Sequence, residues 1–418
     1  MVILFDGTRF YASAAGVYQP ELRNKPLAVV TSNSGIIIAL NKLASQLSVR
    51  KFEPIFKYKN MVELGQLFTA EANFNLFGTI SNDMHEQLEK LVPDIYRYSI
   101  DEAFGLLPAC ESSDVVGYLK RIRRTVYKNI RIPIGAAAAR NCTLVKVASW
   151  AAKNVEGYNG ICVLENTRTE EAILARLEIA KVWGIGRRLG QKFQMLSINT
   201  ALDLKRYKAN KLRSFGKPIQ ELHAELNGEI VHDWRRVQLA EQQQIGSSRS
   251  MQNRLQTIHE VKQALAYHLS EVASKARASN QKIKRLVIFC CGSRFDKTPI
   301  PPVSVTIDLE YPTHDLMILL PVLQTNIEPL TAHLPIYKVG VKATELCSAR
   351  YDQQDLFAPK ENQRLMNTLD NINARYGKKT LYLGSLGVNV ADEQIGERCQ
   401  SPTLKNSHSR WSDIPLIF

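Results

Sequence analysis

The sequence predicts a protein of mixed α and β structure that is divided into several domains. Over residues 1–165, short apolar runs that are typical of strands alternate with amphipathic segments that are typical of helices. Residues 166–240 are helical in pattern and rich in Lys and Arg. The chain has 418 residues, which is more than one hydrophobic core usually organises. We therefore expect a multidomain α+β fold.

The first segment, residues 1–165, contains the elements of a sheet packed by helices. Pro93 marks the end of one helical pattern, because proline cannot continue a helix. The predicted strands are Val2–Phe5, Leu27–Thr31, Gly35–Leu40, a hairpin at Ile95–Leu106 and Ile132–Ala139; the predicted helices are Asn82–Leu91, Val115–Asn129 and Leu144–Lys153. We expect the helices to lie on one side of the sheet.

The remainder of the chain divides where its composition changes. Residues 166–240 form a basic helical segment, and residues 243–348 combine long helical patterns with strand-like runs, which predicts an α/β domain. Residues 349–418 are polar and predict a C-terminal tail. No internal repeat or low-complexity tract interrupts this order.

The chain is basic, with 54 Lys and Arg against 40 Asp and Glu and a net charge of +14. Such an excess favours a polyanionic partner, nucleic acid before a membrane surface, although a general solubility charge also explains it. Hydrophobic residues make up 45% of the chain, an ordinary value for a globular protein.

The seven cysteines are scattered and form no C-x-x-C pair, so the sequence predicts no zinc site. Buried, reduced thiols of this kind are typical of the cytoplasm. No signal peptide is evident, and the longest apolar runs are too short to span a bilayer. We expect a soluble, cytoplasmic protein without a membrane partner.

Three acidic residues follow or interrupt apolar runs and predict a metal site. Asp6 comes directly after Val2–Phe5, and Asp101 and Glu102 lie inside the apolar stretch 96–107. A carboxylate in an apolar setting must be neutralised, paired or bound to a metal. Alternatively, Asp101 and Glu102 simply begin a turn and Asp6 caps the next helix. Neighbouring strand residues point to opposite faces, so Asp101 and Glu102 converge only if the backbone bends there.

A glycine-rich basic string predicts a contact with a phosphate backbone. Val182 to Arg188 read V-W-G-I-G-R-R, in which Gly184 and Gly186 permit a tight turn before a helix. Amide groups at that helix N-terminus would face a phosphate, and Arg187, Arg188 and Lys192 would add charge. A plain helix–helix turn is the alternative.

Two further groups of residues give weaker evidence of function by themselves. Lys146 lies near the start of a helix and could reach a triphosphate, although a solvated lysine is the commoner outcome. Phe10 and Tyr11 follow Asp6 closely, as ordinary core residues or as a platform under a substrate sugar.

Together these strings resemble the Y-family DNA polymerases, and in particular the UmuC group of that family. The resemblance covers nearly the whole chain, at Asp6 with F-Y-A-S at 10–13, S-I-D-E-A-F at 99–104, T-L-V-K at 143–146, V-W-G-I-G-R-R at 182–188, S-S-R-S at 247–250, L-M-N-T at 365–368 and T-L-Y at 380–382.

The resemblance implies the right-hand fold of a polymerase. Residues 1–165 would form a ferredoxin-like palm with small inserted fingers at about 12–80, and residues 166–240 a helical thumb with a helix-hairpin-helix. Residues 243–348 would form the α/β little finger, and residues 349–418 a tail with a clamp-binding peptide.

The resemblance also implies the site. Asp6, Asp101, Glu102 and the Gly7 carbonyl would hold two Mg²⁺ ions that serve nucleotidyl transfer from a dNTP to a primer 3′-hydroxyl. Tyr11 would act as the steric gate against a ribose, with Phe10 beside it and Lys146 on the triphosphate. Contacts with primer–template DNA would come from Gly184, Gly186, Arg187, Arg188, Lys192 and Arg249.

Partners are implied in the same way. The string Q-Q-D-L-F at 353–357 resembles a sliding-clamp peptide, in which Leu356 and Phe357 fill an apolar pocket and Gln353 bonds at its rim. A UmuD-type dimer and a RecA filament are implied by the resemblance alone.

Some residues depart from the family pattern. The family usually has basic residues at positions 40, 45 and 142, where this chain has Leu40, Ser45 and Cys142. Ala137 replaces a glycine, and Arg9 stands beside the gate in place of a small residue. Lys42 or Arg9 could restore part of the lost charge.

The resemblance therefore implies error-prone translesion DNA synthesis in the SOS response to DNA damage. The three carboxylates favour an active polymerase, because a site that had lost its activity would have no need of three carboxylates that repel one another. A DNA- and clamp-binding damage-response factor with weak or lost polymerase activity is the alternative that Leu40, Ser45 and Cys142 favour. A DNA-repair scaffold explains the basic charge but leaves the acidic residues unexplained.

Overall fold

The computed structural model describes residues 1–31, 34–233, 243–293, 296, 301–351, 358–376 and 380–386. The chain forms two compact units, one mainly of residues 1–240 and the other mainly of residues 241–402. Within the described residues, no helix is long and apolar enough to cross a membrane.

The first unit is built on a five-stranded sheet with the strand order β5-β6-β1-β7-β8. Its central strand, β1, is buried along its whole length and pairs antiparallel with β6 on one side and β7 on the other. The strands are β1 (Val2–Gly7), β5 (Ile95–Arg97), β6 (Glu102–Leu106), β7 (Ile134–Ala139) and β8 (Ile161–Val163).

Helices cover both faces of this sheet, so the expectation of helices on one side was wrong. Alternate residues of β1 explain the difference: Val2 and Leu4 pack into the core beneath α6 (Cys142–Asn154), whereas Ile3 and Phe5 pack into the core with α4 (Phe74–Leu91) and α5 (Val115–Ile130). The apolar run Val2–Phe5 of β1 is typical of a strand that is buried on both faces.

A smaller three-stranded sheet lies between β1 and α4 in the sequence. Its strands β2 (Leu27–Val30), β3 (Ile37–Leu40) and β4 (Phe68–Glu71) have the order β3-β2-β4, with β2 antiparallel to β3 and parallel to β4. The helices of this region are α1 (Phe10–Tyr18), α2 (Lys42–Ser45) and α3 (Lys59–Glu63).

The basic segment after β8 is helical, as expected. Its helices are α7 (Thr167–Leu174), α8 (Arg187–Met195), α9 (Ala201–Arg206) and α10 (Lys217–Leu226). The buried Glu225 carboxylate of α10 accepts a hydrogen bond from the amide of Thr143 at 2.8 Å, which ties this segment to the N-terminus of α6.

The second unit contains a four-stranded antiparallel sheet with the order β11-β10-β12-β9. Its strands are β9 (Ile245–Leu255), β10 (Gln281–Cys291), β11 (Val303–Thr313) and β12 (Ile336–Ser348); its helices are α11 (Ile258–Ala278), α12 (Leu316–Thr325), α13 (Glu328–Thr331) and α14 (Gln363–Tyr376). The polar tail expected from residue 349 therefore includes α14, whose Met366 packs into the core of this unit.

Candidate active site

The pairing of β1 with β6 brings the three predicted acidic residues to one edge of the five-stranded sheet. Asp6 and Glu102 are direct partners in the antiparallel register. Asp101 lies in the hairpin turn that precedes β6, and its carbonyl accepts a hydrogen bond from the Gly7 amide at 2.7 Å. Asp101 therefore lies in a turn, which is the backbone bend that the sequence requires if Asp101 and Glu102 are to converge.

Gly7 is required by this close approach. A Cβ atom at position 7 would lie 2.9 Å from Cδ2 of Phe10 and 3.3 Å from Cβ of Asp101. Asp6 does not cap the following helix, because Arg9 is the N-cap residue of α1 and makes no side-chain capping bond.

The hairpin turn is held by a network of hydrogen bonds around Ser99. The Ser99 hydroxyl donates to Oδ1 of Asp101 at 2.8 Å and accepts from the Glu102 amide at 3.1 Å. One side chain therefore fixes the orientation of the Asp101 carboxylate and the start of β6.

Helix α4 supports the same turn from beneath, and sequence reasoning missed this role. The Ser81 hydroxyl donates to the Ile100 carbonyl at 2.6 Å, and Nε2 of the buried His85 lies 3.0 Å from the Ser99 carbonyl. Because the predicted helix began only at Asn82, Ser81 fell outside it. The observed helix begins eight residues earlier, at Phe74, because the side chain of its N-cap residue, Asn73, accepts from the Leu76 amide at 3.0 Å.

Asp6 is a buried carboxylate with a strongly perturbed pKa. It is 8% exposed, and burial raises its pKa to about 6, with smaller contributions from the Glu102 and Asp101 charges; Lys153 opposes the rise. A carboxylate in this position favours any cation that can neutralise it.

Two lysines of α6 pair with the acidic residues. Lys153 forms an ion pair with Oδ2 of Asp6, and Nζ of Lys146 donates to Oε1 of Glu102 at 2.7 Å. The Lys146 ammonium also lies 4.5 Å from the ring centroid of Tyr98. Sequence reasoning missed Lys153; its spacing of seven residues from Lys146 placed both on one face of a helix and was the available signal.

These pairs describe the acids as the structure has them. Among the described residues, no three Asp, Glu, His or Cys side chains are grouped closely enough to hold a metal ion as they stand. Asp6 and Glu102 are instead each neutralised by a lysine.

Tyr11 and Phe10 lie on the first turn of α1. Phe10 is buried, whereas Tyr11 is half-buried and contacts the rings of Phe74 and Phe77 at centroid distances of 6.0 and 5.0 Å. Burial raises the pKa of Tyr11, and the Asp101 charge adds to this rise. The aromatic ring therefore lies close to the acidic edge.

The comparisons with known proteins identify the family. The impB/mucB/samB family matches residues 5–150, its C-terminal domain matches residues 242–356, and a domain of unknown function matches residues 363–398. The chain is 32% identical to the protein UmuC of Salmonella typhimurium, over 93% of this chain and 94% of UmuC. The chain belongs to the UmuC group of Y-family DNA polymerases.

Other relatives agree with this assignment. The protein SamB of Salmonella typhimurium is 28% identical over 99% of both chains, and a DNA polymerase IV of Oceanobacillus iheyensis is 23% identical over 91% of this chain and 90% of its own. A crystal structure of a Y-family chimera of Dbh and Dpo4 has a TM-score of 0.64 and 19% identity, covering 83% of this chain and 100% of the chimera. This confirms the predicted α+β polymerase fold.

The family assignment also confirms the predicted activity in its general form. The chain is a DNA-directed DNA polymerase of the translesion type that acts in the DNA-damage response, and its reaction depends on a divalent metal ion.

Two of the departures from the family pattern are core residues in this member. Leu40 is 3% exposed and packs with Ala28 and Ile37, and Cys142 is 2% exposed at the start of α6. Ser45 is exposed, and its hydroxyl donates back to the Lys42 carbonyl at 2.8 Å. At positions 40 and 142 this chain therefore has a buried packing residue where the family pattern has a cation.

The glycine-rich string forms a turn before α8, as the sequence predicts. Gly184 has a φ of 86°, and Gly186 is the N-cap residue of the helix that begins at Arg187. The element before the turn is a short 3₁₀ segment, Ile179–Lys181, rather than a full α-helix. Arg187, Arg188 and Lys192 are exposed.

The remaining predicted residues lie elsewhere. Arg249 belongs to β9 in the second unit, where it pairs in register with Val339. Gln353, Leu356 and Phe357 of the predicted clamp peptide lie outside the described residues.

Proposed function

We propose that Asp6, Asp101 and Glu102 form the reaction centre of this polymerase. The observation that carries the proposal is the register of β1 with β6, which places Asp6 opposite Glu102 and joins Gly7 to Asp101. Three carboxylates at one sheet edge would repel one another without a cation, so they require a permanent positive partner.

We propose that these residues hold two Mg²⁺ ions when Lys153 and Lys146 no longer pair with Asp6 and Glu102. Carboxylate and carbonyl oxygens are the ligands that Mg²⁺ prefers, and the Gly7 carbonyl lies at the same edge. Burial of Asp6, which raises its pKa to about 6, is offset when a divalent cation replaces the proton or the lysine. Bound there, Mg²⁺ would lower the pKa of a primer hydroxyl and neutralise the charge that develops on the phosphates.

The two lysines then acquire a second role. If metal ions took the place of these lysines on Asp6 and Glu102, the Lys153 and Lys146 ammonium groups would become available to an anionic substrate. Lys153 is the better placed of the two, because its side chain is 33% exposed against 11% for Lys146. We propose Lys153 together with the predicted Lys146 for the triphosphate.

Tyr11 is proposed to exclude ribonucleotides. Its ring is fixed between Phe74 and Phe77 and lies near Asp101. A 2′-hydroxyl on the incoming sugar would meet this ring, and Phe10 fixes the helix turn from the buried side.

Primer–template DNA is proposed to bind through the turn at Gly184 and Gly186. Amides at the N-terminus of α8 and the exposed Arg187, Arg188 and Lys192 suit a phosphate without reading sequence. Arg249 of the second unit is proposed as a further phosphate contact.

We propose that the chain is divided into domains at residues 1–165, 166–240, 243–348 and 349–418, with the fingers at about 12–80.

The sliding clamp, a UmuD-type dimer and RecA are proposed as partners in the cytoplasm. Replacing both Leu356 and Phe357 with alanine is expected to remove clamp binding, measured by calorimetry, while extension without the clamp stays unchanged. Unchanged clamp affinity would reject the docking peptide.

The central test is primer extension on undamaged and abasic templates, with and without Mg²⁺, the clamp and accessory subunits. We expect Mg²⁺-dependent extension past the abasic site. Retained DNA binding with no extension under any of these conditions would favour the non-polymerase alternative.

A further inference from the structure

Trp183 connects the turn before α8 with the hairpin that carries the acidic residues. It directly precedes Gly184, and its half-buried indole donates a hydrogen bond from Nε1 to the Tyr98 hydroxyl at 3.2 Å. Tyr98 in turn belongs to the hairpin, because its amide donates to the Glu102 carbonyl at 3.0 Å. A single side chain therefore links two segments that are 85 positions apart in the sequence.

The same indole forms one wall of an aromatic cage around the ammonium group of Lys146. The Nζ atom lies 4.5, 5.2 and 5.8 Å from the ring centroids of Tyr98, Phe104 and Trp183, respectively. All three distances are within the range of cation–π attraction, and the Lys146 side chain is only 11% exposed. The three rings are thus placed to hold the ammonium group where it pairs with Glu102.

Trp183 is held in this position by its surroundings. Val182 and Ile185, on either side of it in the chain, are 3% and 5% exposed, so both are anchored in the core. The ring of His232 lies 5.6 Å from the indole at an angle of 77°. His232 is itself fixed, because its amide donates to the buried Glu225 carboxylate at 2.9 Å. These contacts fix the indole in the orientation that directs its N–H group to the hairpin.

We propose that Trp183 is a positioning residue of the polymerase reaction, which holds the Lys146 ammonium group on Glu102 and joins the DNA-binding turn to the reaction centre. The proposal rests on the reaction centre and the DNA contact described under the proposed function. Because Gly184 follows Trp183 directly, a phosphate bound to the amides of this turn would fix the main chain from which the indole projects. Binding of primer–template is thereby linked to the position of the Glu102 carboxylate.

Two substitutions separate the ring from its hydrogen bond. Trp183→Phe keeps an aromatic ring and removes the Nε1–H donor, whereas Trp183→Leu removes the aromatic ring as well. Tyr98→Phe removes only the hydroxyl that accepts this hydrogen bond. Phe215→Leu is the matched control, because Phe215 is a half-buried ring of the same helical segment that packs against the same core. Each variant is assayed for the Kd of primer–template and for the single-turnover extension rate at saturating DNA and dNTP.

We expect Trp183→Leu to lower the single-turnover rate about ten- to thirtyfold, because Lys146 loses one wall of its cage, and Trp183→Phe about two- to fivefold. Tyr98→Phe should match Trp183→Phe, and the double variant should be no slower than either alone, since each removes the same hydrogen bond. The Kd of primer–template should stay within about twofold of wild type, and Phe215→Leu should retain the wild-type rate. A rate for Trp183→Leu no lower than that of Phe215→Leu would overturn the proposal, and so would a loss confined to DNA affinity.

A double-mutant cycle in metal-free protein tests the cage independently of activity. Trp183→Leu, Lys146→Met and their combination are compared with wild type by urea unfolding. We expect the effect of Lys146→Met on the unfolding equilibrium constant to be about three- to tenfold smaller in the Trp183→Leu background, because the ring that attracts the ammonium group is already gone. Independent effects of the two substitutions would overturn the proposal. If wild type extends no primer, the proposed reaction centre fails, whereas the unfolding cycle still decides whether Trp183 holds Lys146.

Discussion

The two sheets of the first unit differ in how fully they are covered. In the five-stranded sheet, β1 is buried on both faces and Phe5 and Phe104 are each 1% exposed. In the region of the three-stranded sheet, one small cluster around Leu40 forms the outer core, and Phe52 and Phe56 are 62% and 67% exposed. The acidic groups therefore extend from a sheet that is buried on both faces, whereas the smaller region leaves large apolar side chains exposed.

This difference between the two sheets indicates which region of the first unit could accommodate altered substrates. Asp6, Asp101 and Glu102 are held by strand pairing, by Ser99 and by α4, so their geometry depends little on what is bound. The smaller region is linked to the start of α1 by Arg9, which has a φ of 50° and donates to the Leu40 carbonyl. Changes in the two regions should therefore affect catalysis and substrate selection separately.

The largest effect is expected at the acidic edge. Asp101→Ala or Glu102→Ala should lower the single-turnover extension rate by at least about a thousandfold, because each removes ligands for the catalytic cation. DNA affinity should change by less than about twofold, since phosphate contacts elsewhere dominate it. Glu63→Ala, an exposed acid of α3, is the control. Extension at the wild-type rate by either variant would reject the metal-ligand assignment.

Selection against ribonucleotides should change next. Tyr11→Ala is expected to reduce discrimination between dNTP and rNTP by about two orders of magnitude, because the ring no longer opposes the 2′-hydroxyl. Competing incorporation of the two nucleotides measures this ratio. Tyr18→Ala alters an exposed tyrosine of the same helix and should leave the ratio unchanged. Equal discrimination in wild type and Tyr11→Ala would show that Tyr11 is only a packing residue.

Ionisation of Asp6 gives a pH-dependent effect on stability. Because burial raises its pKa from 3.8 to about 6, the folded protein retains a proton that the unfolded chain loses over this range. The free energy of unfolding therefore falls as pH rises from about 4 to 6 and stays lowered above it.

In metal-free protein, the free energy of unfolding of Asp6→Asn relative to that of wild type should rise by about 1–3 kcal/mol between pH 4 and pH 7, measured by urea unfolding. The diagnostic quantity is how the stability difference between the variant and wild type changes with pH. Loss of the ion pair with Lys153 also alters the free energy of unfolding of the variant, so the difference at a single pH is not sufficient. Mg²⁺ should stabilise wild type more than the variant. A difference between the two proteins that is constant with pH would contradict the burial of an ionisable Asp6.

Loss of the support that α4 gives to the hairpin turn should lower the extension rate less than loss of the acidic residues does. Ser81→Ala leaves the Ile100 carbonyl without its donor, so we expect about a tenfold fall in kcat and a loss of about 1–2 kcal/mol in stability. A higher Mg²⁺ concentration for half-maximal rate would separate positioning from general destabilisation. Thr79→Ala, on the exposed side of α4, is the control. Normal Mg²⁺ dependence in Ser81→Ala would limit Ser81 to a structural role.

The sequence predicted the turn at Gly184 and Gly186 and singled out the three acidic residues, because each is a local string with a distinct pattern. The gate at Tyr11 came only from the family resemblance and stays a prediction. The sequence did not predict the roles of Ser81, His85 and Lys153, because these depend on which helix packs under which turn. Nor did the substitution at position 40 reveal that Leu40 is a core residue and that Arg9 reaches its carbonyl across 31 positions of sequence. Contacts between distant segments carry the information that periodicity and spacing lack.

The smallest effect should come from the exposed face of the smaller region, in contrast with the larger sheet. Phe52 is 62% exposed and has a φ of 66°, so Phe52→Asn loses little packing and relieves backbone strain. We expect the free energy of unfolding to change by less than about 0.5 kcal/mol. Phe104→Ala, in the buried centre of β6, should instead lose about 3–5 kcal/mol. Urea unfolding of both variants measures the contrast, and a loss above about 2 kcal/mol in Phe52→Asn would show that the smaller region is packed as tightly as the larger sheet.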